Sequence, residues 1–449
     1  MKKKPIQWLL LLLMAGSTAA QDIPQEYIKE GLENNLVLKE KNVSLEKSLV
    51  GLKEAKSLFL PTTWFETQYT LAKGGRTIDI PVGDLVNPVY KTLNQLTGTN
   101  SFPTISNTSE QLLPNNFYDV RVKTTMPLIN TDIKYNRLIK EEQIKMQQNE
   151  VDIYRRELIK EIKTAYYNYL MTGKAIAIYE NALEVVKQNL RVNQSLLNNG
   201  KGLPAYVSRA ESEVKSVESK LQSAKNEQQN AKAYFNFLLN KPLSDSVIST
   251  DIKTAPELLL APTAADVSAR EELKSLSTAR NINQQLLKMN KAFKTPKLNA
   301  FLDLASQGFN FKVNNKSFFY LGGLQLQIPL FTGYRNLYKI QQTTLDAKSI
   351  DITTDKVKKQ LELAAFVSRN NITTAYNNYL ASLKEEEASQ KYFKLIDKGF
   401  TEGVNSFIEF LDARNQLTNA KLQTNINQFK LLTATADYER QTASYSFNQ

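Results

Sequence analysis

The sequence predicts a mainly α-helical chain with a smaller membrane-type β component, built as an internal duplication. Three observations carry this. Four alternating stretches have the length of membrane strands, roughly 9–11 residues. Helical runs of about 65–70 residues follow each pair of strands. The order helix, two strands, long helix, break, helix then occurs twice within 449 residues.

The chain opens with Lys2, Lys3 and Lys4, an apolar stretch from Ile6 to Ala15, and the small residues Ser17, Thr18, Ala19 and Ala20. Residues 1–20 therefore read as a secretory signal peptide cleaved near Ala20. Its apolar core is about half the ~20 residues that a spanning helix needs. No later segment reaches 18 continuous apolar residues, so export leaves either a chain free of the membrane or one that crosses it as strands.

The first repeat covers 21–240. Apolar spacing predicts helix over 22–59, stopped at Pro61. In 62–72, Phe65, Thr67, Tyr69 and Leu71 share one face. Residues 74–115 are rich in Gly, Pro, Asn, Ser and Thr and predict a long loop. Alternation returns at 117–128, where Tyr118, Val120, Val122 and Met126 oppose Asp119, Arg121 and Lys123, making 62–128 a β-hairpin. Helices are expected over 131–199 and 205–240, interrupted by Gly200, Gly202 and Pro204. A connector with prolines, expected to be equatorial, spans 241–265.

The second repeat, 266–440, runs in the same order. It has a helix to about 293, a β-hairpin over 297–328, and helices over 334–398 and 405–440 broken at Gly399 and Gly403. Residues 441–449 form a tail. "MPLINTDIKYNR" (126–137) and "IPLFTGYRNLYK" (328–339) make the same strand-to-helix transition. Pro61, Pro127, Pro296 and Pro329 are read as its markers. The helices after the breaks share a seam: Val207, Ala210, Val214, Val217, Leu221, Ala224, Gln228 and Ala231 step as Phe410, Ala413, Leu417, Ala420, Thr424, Asn427, Leu431 and Ala434 do. That heptad pattern predicts coiled-coil packing in a wide assembly.

Composition narrows the chemistry. There are no cysteines and no histidines. That removes disulfides, a cysteine-borne lipid anchor, histidine triads and nearly all zinc enzymes. No cofactor is expected and no enzymatic role. The formal net charge of +12 suggests nucleic acid, but an exported chain without an aromatic-basic motif argues against it. Four strands cannot close a barrel, which needs about eight, and open edges are forbidden in lipid. Several chains must each donate four. The competing reading, a small soluble sheet on helices, fits poorly with the long helices. At 1.5 Å per residue they reach on the order of 100 Å, as a tube leaving a membrane would.

With these stretches in order, the chain resembles the TolC family of outer-membrane channel proteins. "LENNLVLKEKNVSLEKSLVGLKEAKSLFLP" (32–61), "IPLFTGYRN" (328–336) and "GFTEGVNSFIEFLDARNQLTNAK" (399–421) carry the resemblance. It implies a homotrimer with a 12-stranded transmembrane β-barrel in the outer membrane of a Gram-negative bacterium. An α-helical barrel would continue it into the periplasm. It implies an exit duct for tripartite efflux or type I secretion, working with a periplasmic adaptor (membrane fusion) protein and an inner-membrane RND, ABC or MFS transporter. By position it implies a periplasmic gate with acidic residues Glu409 and Asp412, which lie i, i+3 on one helix face. The bland reading is two carboxylates facing solvent. Phe400 and Asn405 stand where better-known members carry a Tyr and an Arg that latch the closed state, and Ser208 stands near the expected acid of the first repeat. The alternatives are an exported coiled-coil structural, adaptor or adhesin protein, and a hydrolase with paired carboxylates.

Overall fold

The computed structural model describes residues 23–250, 252 and 266–445. The expected signal peptide, most of 251–265 and the end of the 441–449 tail lie outside the described residues. In order, the elements are α1 (Gln25–Asn34), α2 (Leu36–Ser57), β1 (Thr62–Thr70), β2 (Thr77–Ile80), α3 (Val82–Thr97), β3 (Thr108–Gln111), β4 (Phe117–Ile129) and α4 (Thr131–Asn198). They continue with α5 (Pro204–Leu238), α6 (Glu271–Lys291), a 3₁₀ turn (Ala292–Lys294), β5 (Lys297–Phe309), β6 (Phe318–Gln327), α7 (Arg335–Thr401) and α8 (Phe407–Thr442).

The chain forms two units. One comprises residues up to 49, 142–281 and 346 onward; the other comprises 50–141 and 282–345. The second holds a four-stranded antiparallel sheet in the order β1-β4-β5-β6. Opposite residues share a face, and the register sets Phe65 against Val122, Val122 against Leu304, and Leu304 against Tyr320. The apolar sets of all four strands therefore fall on one face. The other face receives Glu66, Arg121, Asp119, Lys123, Asp303 and Gln307.

Two expectations for this unit need correction. The 74–115 stretch is not a loop: it carries β2, α3 and β3, and β2 pairs with β3. Its Asn residues build it. Asn87 donates to the Ile105 carbonyl at 2.8 Å and accepts from the Ile105 N–H at 2.8 Å; Asn94 does the same with Phe102. Side-chain amides stand in for a partner strand, so a turn-like composition yields order. Pro127 is not at a strand end but inside β4. It pairs with Asn299 beside a register irregularity, and β1 reaches only as far as Thr125. On that side β4 is an edge, where a missing N–H costs no ladder bond. Pro61, Pro296 and Pro329 do lie between elements.

The helical unit packs Leu158, Ile162, Tyr166, Phe235 and Leu239 into its main core. Tyr27 meets Phe235 edge-on at 5.0 Å, and the Tyr166 hydroxyl donates to the Ile248 carbonyl at 3.0 Å. The helix expected over 22–59 is cut at Asn35. Its buried amide donates to the Leu238 carbonyl at 3.0 Å while its Oδ1 accepts from the Leu38 N–H at 3.1 Å. The side chain thus restarts the helix as an N-cap. The two seams are buried within the single chain: Val214 and Val217 pack on Ala182 and Val186 of α4, and Thr424 donates to the Ser382 carbonyl of α7 at 3.0 Å. Their small residues serve pairing inside the protomer.

Candidate functional site

The two helix breaks are built alike up to one point. α4 ends with the Gly200 N–H on the Leu197 carbonyl (2.9 Å) and the Lys201 N–H on the Leu196 carbonyl (2.9 Å). α7 ends with the Gly403 N–H on the Phe400 carbonyl (3.1 Å) and the Val404 N–H on the Gly399 carbonyl (2.7 Å). Gly200 and Gly403 hold φ of +68° and +78°, the left-handed cap that only glycine adopts without strain. Gly399, expected to break the helix, instead lies in its last turn. A Cβ there would sit 1.9 Å from Asn405 Oδ1, so this glycine makes room for Asn405.

The helix restarts differ. α5 begins on Pro204 with no side-chain cap. α8 begins on Ser406 with a capping box. Ser406 Oγ accepts from the Glu409 N–H at 3.2 Å, and Glu409 Oε2 accepts from the Ser406 N–H at 2.7 Å and its hydroxyl at 2.9 Å. Those bonds, backbone first, hold the Glu409 carboxyl below the usual carboxylate range. Glu409 and Asp412 are both exposed. Phe400 packs on Phe410 (5.0 Å) and Phe407 (6.4 Å), an apolar contact. Ser208 is exposed, and Arg209, in the place that corresponds to Asp412, pairs with Glu213 at 2.9 Å.

Sequence reasoning missed the charges that cross between the repeats. Arg414, 3% exposed, reaches Glu213 of α5 at 2.9 Å. Burial pulls its guanidinium down against the charge and hydrogen bond of Glu213. Further along the helical unit, Arg156 grips Glu271 bidentately at 2.8 and 2.9 Å, Arg440 joins Glu157 and Glu272 at 3.0 Å each, and Lys163 meets Glu439 at 2.9 Å. Arg270 forks onto Glu272 at 2.9 and 2.6 Å. Burial pushes the Glu272 carboxyl up, but the hydrogen bond from Arg270, its own backbone and the charges of Arg270 and Arg440 bring it to about 2. Apart from Arg270 and Glu272, two residues apart, these partners are distant in sequence, so no local pattern marks them. These bonds tie α4, α6 and the end of α8 together.

The sheet has the opposite organisation. At its centre a charged side chain is the covered one: Asp303 is 6% exposed, while the neighbouring Leu304 on the other face is 55% exposed. Arg121 pairs with Asp119 and lies 3.8 Å from Asp303. Phe65, Tyr320 and Leu324, on the face of Leu304, are exposed, and so is Trp64 on the face of Asp303. Strands β1 and β6 have free edges. Among the described residues no helix is long and apolar enough to cross a membrane, and no group of three or more His, Cys, Asp or Glu could hold a metal ion.

Residues 268–441 match the family model described as outer membrane efflux protein. No curated protein matches the chain in sequence. Among solved structures, the outer-membrane channel OprN is 13% identical with a TM-score of 0.71, over 94% of this chain and 90% of its own. The Campylobacter jejuni CmeC outer membrane channel is 14% identical with a TM-score of 0.72, over 95% and 86%. The open state of the Neisseria gonorrhoeae MtrE outer membrane channel is 13% identical with a TM-score of 0.70, over 93% and 88%. The fold is therefore that of outer-membrane channels. Residues 268–441 are similar to the outer membrane efflux protein family, and over nearly its whole length the chain shares the fold of these channels.

Proposed function

We propose that this chain is the outer-membrane exit duct of a tripartite efflux or type I secretion system. Three copies close a 12-stranded barrel and conduct substrate passively from a periplasmic pump complex to the exterior. The inverted sheet is the observation that carries this reading. A sheet with one exposed, mainly apolar face, the charged groups Arg121, Asp119 and Asp303 on the other, and two free edges suits neither water nor lipid alone. Joining β1 of one copy to β6 of the next removes the edges, places Leu304 and Tyr320 in lipid, and turns Arg121 and Asp303 to an aqueous lumen. α7 supports assembly too, since Leu363, Phe366 and Leu395 are exposed.

On this reading residues 1–20 direct export and are removed, and the helical unit projects into the periplasm. There it meets an adaptor protein and, through it, an RND, ABC or MFS transporter. The proline-marked junctions at Pro61, Pro296 and Pro329 turn strands into tunnel helices. The tips after Gly200 and Gly403 form the periplasmic mouth. Glu409 and Asp412 supply carboxylates to that mouth and favour cations. Glu409 does so from a capping box, which fixes its orientation, and the Phe400 cluster with Asn405 holds the closed tip.

The test is purification in detergent, mass measurement and planar-bilayer conductance. A heat-modifiable trimer with steady ionic conductance is the expected result. A monomer without conductance rejects the duct. In the same bilayers, Glu409→Gln with Asp412→Asn should lower cation preference, and unchanged selectivity removes these residues from the gate. Cross-linking in intact cells then identifies the transporter class: a proton-driven pump means small-molecule efflux, and an ATP-driven exporter means polypeptide secretion.

A further inference from the structure

A cavity of about 810 Å³ lies between the two helix-hairpin tips of one protomer. Its walls come from the ends of α4 and α7 and the starts of α5 and α8. Phe393, Phe400, Phe407 and Phe410 line it with Tyr206. Phe393 and Tyr206 join the Phe400, Phe407 and Phe410 contacts in one apolar cluster, so one side of the cavity is an aromatic wall. The volume falls in the range of sites for small organic molecules.

The polar lining is acidic. Glu184 and Asp397 both face the cavity, and Lys201 is its only cation among the described residues. Neither carboxylate forms an ion pair among the described residues. Asn189 and Asn193 sit deeper, 4% and 3% exposed, and the Asn193 amide donates to the Asn189 carbonyl and Oδ1 at 2.9 Å. They supply fixed polar groups at the floor. Aromatic faces with nearby carboxylates attract a desolvated cation, and weakly hydrated organic cations lose least on entry.

We infer that this cavity binds lipophilic organic cations, with the aromatic wall contacting the apolar body and Glu184 or Asp397 neutralising the charge. A bound cation touches both hairpins and ties them together, so binding raises the thermal stability of the protomer. The inference concerns a single chain and stands apart from the duct reading.

The experiment uses the full chain in lipid nanodiscs and isothermal calorimetry with tetraphenylphosphonium. Tetraphenylborate, of the same shape and opposite charge, is the control. The expected result is saturable tetraphenylphosphonium binding with a raised Tm, and at least tenfold weaker tetraphenylborate binding at the same site. Asp397→Asn with Glu184→Gln should weaken the cation at least fivefold and leave the Tm without ligand unchanged. These positions are exposed, so the variant keeps its fold. Partition into lipid is the same for both proteins, so the difference between them reads the cavity. Equal affinity of the variant and the parent, equal affinity for the two ions, or no saturable binding of the cation each overturns the inference. Loss of conductance in a separate bilayer measurement, with binding intact, would count against the duct alone.

Discussion

The helical unit and the sheet unit bury opposite things. In the helical unit Tyr166 and Phe235 are inside, and the charges that are also inside, such as Arg156 and Glu271, grip each other. In the sheet the covered side chain is Asp303 and the exposed one is Leu304. One chain thus carries two hydrophobic patterns of opposite sense. The first suits water outside the fold, and the second suits lipid outside and water within. The difference teaches that burial alone does not identify a core; the surrounding medium decides which face is inside.

The largest test breaks the helical side. Arg156→Ala leaves Glu271 buried without its bidentate partner, and removing one member of such a pair costs about 3–5 kcal/mol. Chemical denaturation should show a loss of that size. A loss below about 1 kcal/mol would mean that water replaces the guanidinium and that the pair is not truly enclosed. Next comes the sheet. Leu304→Lys should cost about 2–4 kcal/mol in a bilayer if that residue lies near the midplane, read as lost folding into lipid vesicles. If the variant folds equally well there, the apolar face does not meet lipid.

Acid sharpens the comparison further. Glu272 is held at about 2 in the folded chain, below the ~4.3 of an unfolded glutamate. A depressed carboxylate contributes stability above its unfolded pKa and loses it as pH falls toward the folded one. The helical unit should therefore weaken between about pH 4.5 and 2, by at most about 3 kcal/mol from this group. Glu272→Gln should flatten that part of the Tm–pH curve, and an unchanged curve would assign the acid sensitivity elsewhere. The smallest effect is local. Gly403→Ala forces a side chain into φ +78° and should cost about 1 kcal/mol, seen as a lower Tm with α8 retained by circular dichroism. A neutral outcome would mean that the second tip rearranges freely.

Much of this was legible in the residues. The period-two alternation of 117–128 and 297–307 placed strands because side chains alternate across a pleat. Gly200–Pro204 and Gly403 marked where α4 and α7 end, whereas Gly399 lies inside α7, and the shared seams exposed the duplication. The proposed gate positions show the limit. Glu409 and Asp412 are visible as i, i+3 carboxylates, yet nothing in their spacing shows that Glu409 also caps its own helix start, a role that depends on the backbone of Ser406.

By itself the sequence determined what local periodicity can encode: which stretches are helix or strand, which faces are apolar, where glycine ends a helix, and that the pattern runs twice. Only the tertiary structure decided the rest. The β-register brought four separate apolar faces onto one side of a sheet. Asn87 and Asn94 turned an expected loop into an ordered insertion, and Arg156, Arg414 and Arg440 found carboxylates on other elements. These are choices between partners far apart in the chain, and a one-dimensional pattern carries no distance between them.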